Sequence, residues 1–327
     1  MRRTSLAFGL LAATAAIASG SLTAARAGGA PVALVTAETE NALLAISLPD
    51  GKVLRRVTLP ADPENVVADV GHTAVVVSAR GHAVSLLDSR SLRVIKVLRD
   101  FGAPHLAAVT PDGEWAYVTD DTRGQLVTIE LASKRVVDRL AVGAGAHHLT
   151  ISPNRRRLWL ALGEHARTVV IIDTTQPNRP RILRRFDPGI AVHDLGFSPD
   201  GRQVWLTSAN SRSVTVVEAH SARRLFAVPA GPPPQHVAFN HAVSNLSHFA
   251  YVTSGNSGRI EKVDARNGHV LRVAPVPYGS FNLTTAGGLV VTSSLTNGTL
   301  TELTDQLRVM RNLKVAPAAR DVGVVIW

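Results

Sequence analysis

An aromatic or aliphatic residue, then Val or Leu, then usually Thr or Ser, recurs seven times along this chain. The copies are Leu34-Val35-Thr36, Val76-Val77-Ser78, Tyr117-Val118-Thr119, Trp159-Leu160-Ala161, Trp205-Leu206-Thr207, Tyr251-Val252-Thr253 and Val290-Val291-Thr292. Their third members stand at 36, 78, 119, 161, 207, 253 and 292, in steps of 42, 41, 42, 46, 46 and 39 residues. A fixed period of roughly 40–45 residues is the length of one four-stranded propeller blade. The clearest copy runs from Val192 to Ala219. It holds three short apolar runs rich in Val, Trp, Phe and Thr, parted by turn residues, and reads as three successive strands. In its Pro199-Asp200-Gly201 turn, Pro presets φ, Asp bonds its own backbone and Gly supplies a positive φ.

A second column supports the first. An acidic residue ends most third strands (Asp88, Glu130, Asp173, Glu218, Asp264), with Ser47 and Thr304 in the outer copies. A fourth strand follows each time: Val53–Leu59, Leu92–Leu98, Arg135–Val142, Arg181–Phe186, Arg223–Val228, His269–Ala274 and Leu307–Leu313. The first copy begins near Pro31 and lacks a first strand, while a lone apolar run, Asp321–Trp327, follows the seventh copy. The expected fold is an all-β, seven-bladed β-propeller of four-stranded antiparallel blades. The C-terminal strand closes the ring on the N-terminal blade and removes an open sheet edge. The expected blades are 31–63 plus 320–327, 64–103, 104–146, 147–191, 192–234, 235–279 and 280–319, within one domain, 28–327.

Residues 1–27 read as a signal peptide: Arg2 and Arg3 form a positive start, Leu6 to Ser19 is apolar, and Ala25-Arg26-Ala27 is a small-x-small cleavage site. The expected location is periplasmic or secreted, by ordinary or twin-arginine export. No later apolar run approaches a membrane span. The chain has no cysteine, which excludes a disulfide framework, covalent c-type haem, iron–sulfur clusters and thiolate copper sites. Its only methionines are Met1 and Met310, so thioether copper transport is disfavoured as well.

The net charge of +10 falls to +7 once Arg2, Arg3 and Arg26 leave with the signal. The remaining basic residues concentrate on the fourth strands, as with Arg55 and Arg56 or Arg181, Arg184 and Arg185. Charge on an exposed edge strand discourages edge-to-edge pairing. A perimeter of charge in an exported protein argues against nucleic acid as partner, and the expected state is a monomer. Arg155-Arg156-Arg157 replaces the Asp-Gly turn of its copy and reads as a solvated turn.

The Thr/Ser-Pro-Asp-Gly turn followed by an aromatic-aliphatic-Thr strand resembles the YVTN-repeat β-propellers, the YncE-like exported bacterial proteins. The matching residues are Thr110-Pro111-Asp112-Gly113 with Tyr117-Val118-Thr119, Ser198-Pro199-Asp200-Gly201 with Trp205-Leu206-Thr207, and Tyr251-Val252-Thr253. The resemblance implies a seven-bladed propeller, a periplasmic location and a binding role. More distantly the repeat is similar to the haem propellers of nitrite reductases and to lactonase propellers. The chain departs from the former in lacking a cytochrome c segment and in having seven copies where that ring has eight blades.

A propeller binds ligands at the channel mouth, where the innermost strands begin. Those starts are Glu64-Asn65, His105-Leu106, His147-His148, His193-Asp194, Gln235-His236, Ser280-Phe281 and Arg320-Asp321. His105, His147 and His193 each stand six residues before a turn proline and are therefore equivalent. The candidate ligand-binding residues are His105, His147, His148, His193, Asp194, Gln235, His236, Asn65 and Arg320. Of these, His105, His147, His193 and His236 are candidate ligands for a transition metal or haem, with Asp194 behind them to orient a ring. Three readings stay open: histidines that brace neighbouring blades, a metal- or haem-binding redox-associated protein, and contacts to a small organic molecule or a periplasmic partner protein. A lactonase-type hydrolase would need a carboxylate beside a base, with Glu64 or Asp194 near His193 and Arg320. Strict strand alternation would turn His147 and His148 to opposite faces. Further polar groups on the same face are expected after the second strands: Glu38, Glu40, Arg80, Asp120, Asp121, Glu164, His165, Asn210, Asn256 and Asn297.

Overall fold

Each repeat folds as a four-stranded antiparallel sheet because its apolar residues alternate with turn signals over runs of three to eight residues. The computed structural model describes residues 29–68, 73–163, 167–240 and 248–327. Residues 1–27, expected to be a signal peptide, and the loop residues Glu164 and His165 lie outside the described residues. Seven four-stranded sheets are present. In the fifth, Leu195–Phe197 is innermost, followed by Gln203–Leu206, Ser213–Glu218 and the outer Arg224–Pro229. The seven-bladed all-β fold is the expected one.

Ring closure also follows expectation. Ala319–Ile326 is the inner strand of the first blade and pairs antiparallel with Pro31–Ala37, from Pro31↔Ile326 to Ala37↔Ala319. The Trp327 indole N–H then donates to the Ser89 carbonyl of the second blade at 2.8 Å.

The core lies between blades, not within them. Trp205 of blade 5 packs with Val214 and Val228 of its own blade and with Phe239, Ala250 and Val263 of blade 6. Trp159 joins blade 4 to Leu195, Phe197 and Val204 of blade 5 in the same way. Tyr117, Trp159, Trp205 and Tyr251, the aromatic members of the repeating column, are fully buried. Truncating one of these to alanine would cost about 3–5 kcal/mol. The outer strands are exposed: Val53–Thr58 and Arg181–Phe186 bury no residue fully. No helix among the described residues is long and apolar enough to cross a membrane.

The turns behave as the residue types require. Gly113 and Gly201 take φ of 71° and 69°. Arg155 occupies the same turn position in blade 4 with φ of 62°, and its guanidinium pairs with Asp112 of blade 3. The arginine turn thus also ties two blades together.

One feature of the inner strands positions everything at the mouth. Each begins with a β-bulge in which two consecutive residues oppose one on the next strand. The pairing skips from Ala146↔Leu162 to Leu149↔Leu160, from Pro104↔Asp120 to Ala107↔Val118 and from Ser280↔Ser294 to Leu283↔Thr292. In blade 5 the His193 N–H donates to the Thr207 carbonyl while the Asp194 carbonyl accepts from the Thr207 N–H, both at 2.9 Å. Gln235 and His236 repeat this around Thr253.

Candidate metal centre at the channel mouth

The repeating Thr of the sequence column holds these bulges. The Thr119 hydroxyl accepts from Leu106 N–H at 3.0 Å and donates across the blade boundary to the His147 carbonyl at 2.6 Å. Thr207 accepts from Asp194 N–H at 3.0 Å and donates to the Gln235 carbonyl at 2.6 Å. Thr253 accepts from His236 N–H at 3.3 Å and donates to the Phe281 carbonyl. The residue selected by the repeat therefore fixes the height of the side chains that line the mouth.

This pattern corrects two expectations. The pair of the seventh blade is Phe281-Asn282, not Ser280-Phe281, because Thr253 meets Phe281 and Thr292 donates to the Asn282 carbonyl at 2.6 Å. The interval between turn and strand start is shorter in that blade, so counting from the column misplaced it by one residue. His147 and His148 do not diverge: both line the mouth, with ring centroids 4.9 Å apart. The bulge between Ala146 and Leu149 breaks the alternation on which the opposite-face expectation rested.

The mouth is a cavity of about 290 Å³. Five histidine rings, His105, His147, His148, His193 and His236, line one arc of it. His105 and His147 stack at 3.7 Å between centroids with an interplanar angle of 8°. His148 lies between that pair and the pair His193 and His236, 4.7 Å from the first of these and 5.1 Å from the second.

Four of the five rings are held through Nδ1 by a carboxylate. His105 Nδ1 is 2.8 Å from Glu64 Oε2, and His147 Nδ1 is 2.9 Å from Asp121 Oδ2. His148 Nδ1 is 3.1 Å from Asp194 Oδ1, and His236 Nδ1 is 3.2 Å from Asp194 Oδ2. An ionised carboxylate only accepts, so each Nδ1 carries a proton, and in a neutral ring Nε2 keeps the lone pair. Burial alone would raise the Asp194 carboxyl, but His236 and His148 overcome it and hold Asp194 well below the usual carboxylate range. Glu64 is likewise lowered: burial opposes, and the hydrogen bond from His105 with the charge of Arg320 prevails. Burial pushes the His148 imidazole well below its ordinary value against the pull of Asp194. A neutral His148 donating Nδ1–H to an ionised Asp194 satisfies both directions.

One contact stands apart. His105 Nε2 and His148 Nε2 face each other at 3.4 Å. A proton on His105 Nε2 makes this a hydrogen bond to the neutral His148, and a metal ion can replace that proton. Two ligands at 2.0–2.1 Å from a tetrahedral zinc ion would be separated by about 3.3–3.4 Å. The histidines form two overlapping triples, His105-His147-His148 and His148-His193-His236, each able to offer three nitrogens within 4.8 Å of one another.

The opposite arc is differently occupied. Asn65 donates to Asp321 Oδ2 at 2.7 Å, and its own Oδ1 accepts from Ala107 N–H at 2.9 Å. Arg320 spans Glu38 Oε2 at 2.7 Å and Glu64 Oε1 at 3.5 Å. Asn65 and Arg320 border the cavity, but Asn65 spends its polar atoms on the two neighbouring blades, and Arg320 pairs with Glu38 of its own blade and Glu64 of the next. Gln235 lines the cavity and accepts from Gly255 N–H at 2.7 Å. Asp194 stands behind the rings. The hydrolase grouping is assembled differently from expectation: Glu64 meets His105 and Arg320, and Asp194 meets His148 and His236.

Of the loop groups, Glu38 and Asp121 reach the site as partners of Arg320 and His147. Arg80 pairs with Asp62, Glu40 with Arg56, and Asp120 caps the Gly102 and Ala103 N–H groups. Sequence reasoning missed Asn282, whose side chain donates to the Arg320 carbonyl at 2.9 Å. The signal that finds it is the Thr-to-carbonyl bond, which the one-residue offset concealed.

No protein-family model and no curated protein matches the chain. Solved structures match over nearly the whole chain. A functionally unknown protein from Desulfotomaculum acetoxidans is 15% identical with a TM-score of 0.76, covering 90% of this chain and 98% of that one. Apo AztD from Citrobacter koseri is 12% identical with a TM-score of 0.71, over 91% and 98%. The dihydro-heme d1 dehydrogenase NirN, in complex with DHE, is 17% identical with a TM-score of 0.66, over 88% and 64%. At these identities the likeness is one of fold.

Proposed function

We propose that this chain is an exported, periplasmic propeller that binds a divalent transition-metal ion at the histidine-lined mouth. The observation that carries the reading is the His105 and His148 Nε2 atoms facing at 3.4 Å, each ring oriented by a carboxylate on its far nitrogen. A metal ion between them would be bound by both nitrogens in place of the shared proton. Carboxylate-backed histidine is the usual support of a metal ligand. An all-imidazole donor set in a chain without cysteine selects the zinc, copper(II) and nickel class over copper(I), calcium or magnesium. The volume of about 290 Å³ lies at the lower end of small-molecule pockets, which suits an ion with a small co-ligand. The leader-like residues 1–27 support export, and the turn-and-strand repeats support placement among the YVTN-repeat propellers. The binding unit is a monomer with no role for nucleic acid.

The test is metal analysis and an absorption spectrum of protein purified from the periplasm. The expected result is about one equivalent of metal, bound more weakly in His105→Ala with the ring still folded. A metal-free protein that leaves added Zn²⁺, Cu²⁺ and Ni²⁺ unbound overturns the reading. A Soret band would instead assign the mouth to haem.

A further inference from the structure

His148 belongs to both histidine triples. Its centroid is 5.2 and 4.9 Å from His105 and His147 on one side, and 4.7 and 5.1 Å from His193 and His236 on the other. Each flank has its own carboxylate support: Glu64 and Asp121 behind the first pair, Asp194 behind His236 of the second. Yet His148 has one nitrogen to give. Its Nδ1 is engaged by Asp194, so Nε2 is the only donor it can offer an ion. One lone pair completes one coordination shell at a time.

We infer that the mouth is a centre with two positions and one occupant. His148 is the shared ligand, and the ion passes between the His105/His147 flank and the His193/His236 flank without leaving the protein. The inference rests on the metal reading above and adds stoichiometry and movement to it. Two ions at once, each completed by His148, would require a deprotonated His148 bridging through both nitrogens. That would strip the buried Asp194 carboxylate of one histidine partner, which is costly for a charge out of water. A shared central ligand lets an ion exchange two donors for two others while its bond to His148 is kept. A site that must release its ion to another molecule gains from such stepwise loss of ligands.

The experiment uses the full chain and Zn²⁺, with binding read by equilibrium dialysis and metal analysis. Wild type, His105→Ala, His193→Ala, the double variant and His148→Gln are compared, and Co²⁺ absorption reports coordination. The amide introduced by His148→Gln can still donate to Asp194, and the double variant keeps His148 intact, so one of the two reads out even if the other misfolds. The expected result is one Zn²⁺ per chain in wild type. Each single alanine variant retains one ion with affinity lowered about tenfold, while the double variant and His148→Gln lose at least about 100-fold. The Co²⁺ spectrum of wild type should be a weighted sum of the two single-variant spectra. Two tightly bound ions in wild type would overturn the single-occupant inference and leave the metal reading standing. So would one single variant losing as much as the double while the other loses nothing, since that describes one fixed position. Absence of any Zn²⁺ binding in wild type overturns both.

Discussion

Asp194 and Asp321 occupy the same place in two blades and do opposite things. Each follows the mouth-lining residue of its inner strand, and each has its N–H bound to the repeating Thr, Thr207 at 3.0 Å and Thr36 at 2.9 Å. Both are buried. Asp194 is flanked by two histidines, and its carboxyl is held below the usual range. Asp321 is flanked by the Asn65 amide and the Val66 N–H, and burial raises its carboxyl. One backbone position thus orients histidines in blade 5 and stitches the ring in blade 1. What decides is the chemistry of the neighbour one blade away: imidazoles leave Nε2 facing the channel, whereas amides leave nothing over.

That contrast can be broken in stages. The largest effect should come from deleting Asp321–Trp327, which removes most of the strand that closes the ring. Loss of a whole buried strand should leave the chain insoluble or lower its melting temperature by well over about 10 °C, since ~1 kcal/mol alone moves it a few degrees. A truncated protein that melts with wild type would refute closure by this strand. Next, Asp321→Ala strands the Asn65 amide and the buried Val66 N–H. It should cost about 2–3 kcal/mol in urea denaturation and leave Zn²⁺ affinity unchanged. Asp194→Asn should show the converse emphasis, lowering Zn²⁺ affinity about 10–100-fold in a competition titration. If both variants changed affinity equally, the two arcs would not be distinct.

Smaller effects sharpen the same picture. Thr119→Val removes the hydroxyl that joins Leu106 to His147 across two blades. A loss of about 1–2 kcal/mol in stability is expected, with weaker Zn²⁺ binding because two histidines lose their fixed height. Asp321→Asn keeps an acceptor for Asn65 and Val66 and gives the smallest change. A carboxyl whose folded value is raised stabilises the fold only while it is protonated. Wild type should therefore lose stability relative to Asp321→Asn as the pH climbs from about 4 upward. A relative stability that moved the other way, read from urea midpoints at pH 3.5 and 7 (roughly the two sides of the ordinary carboxylate range), would show that the carboxylate is better paired than its burial implies.

Much of the fold was legible in one dimension. The seven-fold column, the turn triplets and the orphan strand at the C terminus are local features, and each blade is built from residues adjacent in the chain. The candidate site was legible only as a set of strand starts. The histidines at 105, 147, 148, 193 and 236 were visible as candidates, but Asp121 and Glu38 looked like loop carboxylates and Asn282 was hidden by an offset of one. The bulges were invisible because pairing register depends on the neighbouring strand, not on the run itself. Alternation therefore misjudged His147 and His148.

The order of residues settles how many blades form, how the ring closes and which side chains reach the mouth, because strand patterning and turn chemistry act over a few residues. Whether a polar side chain there braces the ring or faces the channel was settled by contacts between blades more than forty residues apart, such as His148 with Asp194 and Asn65 with Asp321. Hydrogen-bond partnership is a pairwise property of folded neighbours, and a repeat makes every blade's half of the pair look alike until its partner is in place.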